Sequence, residues 1–190
     1  MDPASTTTAS KSGFSFPPIH NFPPFYTRQP TTSTWDHQSR LWAQIILTHH
    51  RYHRLYRLDL AESLHTSLFS NRSIKRELKM EMLREILDCM VEREEAEWVD
   101  NGKAQALIYW RKPADWATLI YQWVCDNGLN NSILTAYEIA QGENTEKAEF
   151  HGIDPLVLRR ALAVLEQRGV AQTFQGSEPE DLGVKFFGNS

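Results

Sequence analysis

Leu83-Arg84-Glu85-Ile86-Leu87-Asp88-Cys89-Met90 returns 75 positions later as Leu158-Arg159-Arg160-Ala161-Leu162-Ala163-Val164-Leu165. Leu83 matches Leu158, Arg84 matches Arg159, Leu87 matches Leu162 and Met90 matches Leu165. Upstream, at an offset of 74, Trp42 matches Trp116, Ile45 matches Leu119 and Ile46 matches Ile120. Both segments carry apolar residues at helical spacing, so a helix-bearing unit is used twice.

The intervening sequence gives the unit its order. In the first copy a helix starts near Thr34, a good N-cap, and carries Leu41, Trp42, Ile45, Ile46 and His49 on one face. A short strand is expected at 56–58, a second helix at 60–66, a break at Asn71 and Ser73, and a third helix with Leu83, Ile86, Leu87, Met90 and Val91 inward. Two strands at 96–99 and 106–110 flank the turn signal Asp100-Asn101-Gly102. In the second copy a helix bearing Trp116, Leu119, Ile120, Trp123 and Val124 ends at Asn127-Gly128. A strand at 133–135, a helix at 136–141, a helix opened by Asp154-Pro155 and closed by Gly169, and strands at 171–174 and 183–187 follow. Helix, strand, helix, helix, strand, turn, strand is the order of a winged helix. The expected class is α+β, mainly α: two tandem winged-helix domains, 34–112 and 113–190, preceded by an extended Pro/aromatic arm at 14–33 and a disordered tail at 1–13.

Composition narrows the function. Of 190 residues, 41% are apolar and 23% charged, as in an ordinary globular chain. No apolar run is long enough for a membrane span, and the Ser/Thr/Pro-rich start is no secretory signal. Cys89 and Cys125 are too few for a disulfide framework and point to a reducing, cytoplasmic setting. The net charge of −4 divides as +1 over 1–34, +1 over 35–112 and −6 over 113–190. A winged helix invites the thought of DNA, yet the third helix of the first copy shows Glu81, Glu85, Asp88, Glu92, Glu94 and Glu95 against Lys79, Arg84 and Arg93. The second carries an acidic wing, with Glu178, Glu180 and Asp181. Phosphate contact demands the opposite sign, so a tandem DNA-binding protein is kept only as an alternative.

No catalytic constellation is present, and no enzyme activity or cofactor is expected. His49 and His53 have the i, i+4 spacing of zinc ligands but no Cys, Asp or Glu partner nearby, so packing or interface histidines are preferred and no metal site is expected. The sequons at Asn71-Arg72-Ser73 and Asn130-Asn131-Ser132 read as turn or cap residues.

The positive signal is Phe14 to Pro30, FSFPPIHNFPPFYTRQP. Five prolines forbid an α-helix and favour an extended path, while Phe14, Phe16, Ile19, Phe22, Phe25 and Tyr26 demand burial. Such an arm cannot form its own core. It folds back on its own domain, offers Pro23-Pro24-Phe25-Tyr26 to a WW domain as a PPxY ligand, or bolts the chain to a neighbouring subunit. The aromatics beyond PPxY favour a large, permanent dock.

With FSFPPIHNFPPFYTRQP at 14–30, ALIYWRKPADWATLIYQWV at 106–124, NNSILTAYEIAQGENTEKAEFHGIDP at 130–155 and GVKFF at 183–187, the chain resembles the small, two-copy winged-helix subunits of the ESCRT-II endosomal sorting complex. The resemblance implies a non-catalytic subunit with two winged helices, two copies joining two larger subunits. It implies that Pro23, Pro24, Phe25 and Tyr26, flanked by Phe22, enter pockets of those subunits, with Phe16, Pro17 and Pro18 as a second contact. It further implies that the second winged helix recruits the ESCRT-III subunit that nucleates filaments for multivesicular-body sorting of ubiquitinated cargo. ESCRT-III core helices are basic and this domain is −6, so the expected contact surface lies near Leu134 with acids such as Glu138. Neither nucleic acid nor membrane insertion is expected, and attachment to endosomes comes through partners.

Overall fold

The computed structural model describes residues 13–176 and 182–188. The expected tail falls outside them except for Gly13, as do the acidic wing residues Glu178, Glu180 and Asp181. The first unit runs α1 (Thr32–His53), β1 (Arg57–Asp59), α2 (Leu60–Leu64), a small hairpin β2 (Ser70–Asn71) and β3 (Arg76–Glu77), α3 (Met80–Glu92), β4 (Ala96–Trp98) and β5 (Gln105–Ile108). The second runs α4 (Pro113–Asp126), β6 (Ile133–Thr135), α5 (Ala136–Gln141), α6 (Pro155–Gln167), β7 (Ala171–Gln175) and β8 (Leu182–Phe186). Each builds a three-stranded antiparallel sheet with the last strand central, β1-β5-β4 and β6-β8-β7. That identity of order establishes the internal repeat as two tandem winged helices.

Local chemistry sets most of these boundaries. The Asp154 carboxylate accepts from the backbone N–H of Leu156 at 2.8 Å, and Pro155 supplies the first residue of α6. Gly169 ends that helix at φ 72, a left-handed conformation that other residues adopt reluctantly. Thr135 and Glu138 form a reciprocal capping box on the short α5. Gly183 in β8 has a different reason: a Cβ there would sit 2.2 Å from the Phe174 ring, which lies across it from β7.

Four details depart from the sequence reading. Helix α1 begins at Thr32 with Thr31 as N-cap, so Thr34 is already inside the first turn. The second helix ends at Leu64, and a β2–β3 hairpin occupies what reads as a simple break. Strand β5 stops at Ile108, because Trp110 turns away and its indole N–H donates to Leu55 O at 2.8 Å. The arm is not extended: it folds into two 3-10 turns, Pro18–Asn21 and Pro23–Tyr26.

The two units have separate cores joined by a common seam. Tyr56 and Leu107, from the first unit, are buried in the apolar cluster of the second. Tyr56, Trp110 and Trp116 pack ring to ring, the Tyr56–Trp110 and Trp110–Trp116 centroids both 5.3 Å apart. Two ion pairs and a side-chain-to-backbone hydrogen bond ring this seam. Arg57 reaches Asp154 at 2.6 Å, Arg54 donates to Glu149 O at 2.6 Å, and Arg160 on α6 pairs with Glu97 on β4. The guanidinium of Arg160 holds the Glu97 carboxyl below its usual range. The same contacts weaken the DNA reading, because α6 spends an arginine on the first unit. On α3, Glu85 holds Arg28, and Asp88 holds Lys103 and the Trp98 indole.

Because Leu107 belongs to the second interior, the units should unfold together. Leu107→Ala is expected to cost about 2–4 kcal/mol and to shift one common guanidinium transition. Coincident far-ultraviolet circular dichroism and tryptophan fluorescence curves check this, and two separated transitions would contradict it.

Candidate partner-binding surface

The arm completes the first core. Phe25 stacks flat on Trp42 with centroids 4.3 Å apart and an interplanar angle of 8°, and Tyr26 meets the same indole edge-on at 5.4 Å. Both rings are almost wholly buried, at 3% and 4% exposure. Burying a side chain the size of Phe contributes about 1.5–3 kcal/mol, which makes docking a stable state of the chain. The backbone is satisfied as well: the Trp42 indole N–H and the Gln38 amide both donate to Phe25 O, at 3.1 and 2.8 Å. Gln38 accepts from Gln29 N in return. Tyr26 donates its hydroxyl to His20 O at 3.0 Å, and burial pushes its pKa up to about 12. His20 Nε2 donates to Leu68 O, and Asn71 of the β2–β3 hairpin ties His20 O and Asn21 together.

This placement is the arm folded back on its own domain: Phe25 and Tyr26 fill the cleft over Trp42 in their own chain. The reason is tertiary: the prolines stiffen the segment into 3-10 turns, and α1 offers a flat indole 17 residues downstream of Phe25. The rest of the arm stays available. Phe22 is 52% exposed, Pro18 and Pro24 are exposed, and Phe16, Pro17 and Pro23 are half-buried. Phe14, Phe16, Pro18, Ile19, Leu41 and Ile45 border an open groove of about 520 Å³ between arm and α1.

Beside it lies a feature the sequence reading missed. Residues 70–79 carry Arg72, Lys75, Arg76 and Lys79 against Glu77, a net +3 (four minus one). Among the described residues none of these four cations has a carboxylate partner. A cavity of about 500 Å³ separates this hairpin from the arm, lined by Phe16, His20, Asn21, His65, Ser70 and Arg72. The signal was present, but averaging charge over residues 35–112 gave only +1 and hid it.

The histidine run packs rather than converges. His50 is buried and its Nδ1 donates to Ile46 O at 2.8 Å, while His49 and His53 sit ring to ring under Phe14. Among the described residues no group of three or more potential ligands converges.

On the second unit, Leu134 is half-buried opposite Val184, and Glu138 spends its carboxylate on the Thr135 cap. The open neighbours are apolar instead: Ile133 at 60%, Tyr137 at 72% and Phe174 at 44% exposure. The strand register puts Ile133 and Phe174 on the outer face of the sheet. Of the three, only Tyr137 borders a groove of about 320 Å³, with Ala140, Ile153, Pro155, Leu158 and Leu182.

Comparison with known proteins agrees with the fold. The family described as "ESCRT-II complex subunit" matches residues 19–154. A Dictyostelium discoideum protein, "Vacuolar protein-sorting-associated protein 25", is 42% identical over 193 residues, covering 94% of this chain and 98% of its own. The human protein of that name is 39% identical, covering 92% and 98%. Among solved structures, "Crystal structure of subunit VPS25 of the endosomal trafficking complex ESCRT-II" superposes with a TM-score of 0.80 at 27% identity, covering 90% and 97%. "The crystal structure of endosomal complex ESCRT-II (VPS22/VPS25/VPS36)" gives 0.78 at 27%, covering 90% and 98%.

Buried histidines on the arm and on α1 make stability pH-dependent in a defined direction. Burial holds His20 below its usual pKa and lowers His49 and His50 to about 4, so the folded chain keeps them neutral. Unfolded, each takes a proton below about pH 6.5, so the unfolded state binds more protons there. Stability is complete above pH 6.5 and declines as pH falls towards 4. Thermal midpoints across that window check it. His49→Leu, which also removes a buried Nδ1 without a hydrogen-bond partner, should flatten part of the decline, and a flat profile in the unmodified chain would contradict it.

Proposed function

Because the chain belongs to the family of ESCRT-II complex subunits, and is a non-catalytic component of that trafficking complex, we propose that it joins two larger subunits through the face where its arm lies on the first winged helix. Those subunits correspond to VPS22 and VPS36 of the complex it resembles. The observation that carries this reading is the basic hairpin, with Arg72, Lys75 and Arg76 lacking carboxylate partners among the described residues, across a cavity from Phe16 and Asn21 on the arm that also carries the exposed Phe22. An apolar ledge next to uncompensated cations fits a partner that brings its own apolar residues and carboxylates, with charge fixing the register. Phe25 and Tyr26 act from beneath, by holding that ledge in place.

The second winged helix recruits the nucleating ESCRT-III subunit for sorting ubiquitinated cargo into multivesicular bodies. The family resemblance implies this role, and the open Ile133, Tyr137 and Phe174, with the groove that Tyr137 borders, support it. The −6 charge of residues 113–190 steers a basic helix towards that apolar contact. Two copies per complex would present two such sites and raise avidity. No helix among the described residues is long and apolar enough to cross a membrane, and endosomal attachment is assigned to the partners.

Point variants separate the two faces better than truncation, since cutting after Lys112 would strip the cover from Tyr56 and Leu107. Arg72→Glu with Arg76→Glu should leave the thermal midpoint within a few degrees and abolish co-purification with the larger subunits. Ile133→Asp with Tyr137→Ala should spare co-purification and lose the ESCRT-III subunit. Normal assembly of the first pair would overturn the proposed face.

A further inference from the structure

A cavity of about 420 Å³ opens on the seam between the two units. It is lined by Arg51 from the last turn of α1, Trp110 and Arg111 from the connection after β5, and Asp115, Thr118 and Leu119 from α4. Two further arginines flank it. Arg168, just past α6, donates to the Thr118 hydroxyl at 3.0 Å and to Ala114 O at 3.2 Å. Arg54 donates to Glu149 O and His151 O, at 2.6 and 3.2 Å, beside the Glu149 carboxylate that Arg111 holds. Of these four guanidiniums only Arg111 has a carboxylate partner among the described residues. Arg54 and Arg168 spend donors on neutral oxygens, and Arg51 is exposed and unpaired.

An arginine held by neutral oxygens keeps its full charge, and those bonds fix where the charge sits. Arg111 is fixed twice, by Glu149 and by stacking over the Trp116 ring at 4.8 Å. Asp115 is the one acid in the lining, against Arg51 and Arg111. This basic ground borders a unit whose net charge is −6, and it shares no lining residue with the cavity beside the β2–β3 hairpin. Guanidinium forks match phosphate oxygens two at a time. Cations spread around one mouth suit several phosphates on a compact scaffold, and Trp110 gives that scaffold an apolar wall. The volume is that of a small-molecule site. We infer that the seam cavity binds a compact, multiply phosphorylated ligand of the inositol phosphate class, with Arg51 and Arg111 on its phosphates and Arg54 and Arg168 adding to the field. The same chemistry occurs free in solution and as the headgroup of a phosphorylated inositol lipid. Because both units build the site, its ligand ties them together.

Titration calorimetry of the full chain with inositol hexakisphosphate tests this. The compound should bind and raise the unfolding midpoint, and inorganic phosphate, which offers a single group, should bind at least about tenfold more weakly. Arg51 supports no other side chain, so Arg51→Glu should keep the midpoint of the unmodified chain and lose at least about tenfold in affinity. Arg168→Ala should weaken binding in the same direction. Arg72→Glu with Arg76→Glu should leave it unchanged, which separates this site from the proposed partner face. Flotation with phosphatidylcholine vesicles, with and without a phosphorylated phosphatidylinositol, tells the two sources apart. Capture by the phosphorylated vesicles alone assigns the lipid headgroup, and binding of the free compound without capture assigns a soluble ligand. A chain that gives neither heat nor a midpoint shift with the compound would overturn the site, and inorganic phosphate binding as tightly would overturn the ligand class. Affinity that survives Arg51→Glu, or that is lost with the hairpin pair instead, would overturn its place on the seam.

Discussion

The Trp42 indole organises the first half of the molecule. It takes Phe25 flat on one face, receives Tyr26 and His20 at its edges, touches Phe69 from the β2–β3 side, and closes the backbone with a bond to Phe25 O. A short winged helix has a small interior, and three strands and three helices leave this indole uncovered without the arm. The prolines make the cover inexpensive, because a segment already restricted in φ loses little entropy on docking. From that one contact follow the position of Phe16 and Pro18 along α1, the tie between His20 and Asn71, and the placement of a basic hairpin next to an apolar ledge.

A second constraint extends rigidity to the rest of the chain. Leu107 and Tyr56 face away from the first core and are covered by the second unit, with Trp110 and Trp116 meeting edge to face beside them. Asp154 caps α6 and holds Arg57 with the same carboxylate, so one side chain fixes both a helix start and the seam. A surface pair of this kind contributes little by itself, but several around an apolar seam fix orientation. Whatever binds the arm face and whatever binds the outer face of the second sheet are held at a set separation.

Much of this architecture was legible in the sequence, for reasons that stay local. The 75-residue offset between Leu83 and Leu158, the Asp154-Pro155 start, the Thr135–Glu138 spacing and the Asp100-Asn101-Gly102 turn each act over a few residues, and the elements they mark are present. The arm was not legible in the same way. Its aromatics declared that they need burial, and its prolines ruled out an α-helix, but neither could show that Trp42 offered the vacancy or that 3-10 turns would bring Phe25 onto it. The neighbourhood of Leu134 and Glu138 shows a related limit. Charge pointed to Glu138, which the capping box had already claimed, whereas Ile133 and Phe174 come to the same sheet face only through strand register.

Residue-resolved amide hydrogen exchange on the isolated chain tests the docking of the arm on Trp42 most directly. Phe25 N donates to Phe22 O, Thr27 N to Pro24 O and Gln29 N to Gln38 Oε1. These three amides should exchange at least about 100-fold more slowly than in an unstructured peptide, in step with their shared local opening. Exchange at the unstructured rate, with the amides of α1 still protected, would show the arm undocked and contradict the central role given to Trp42.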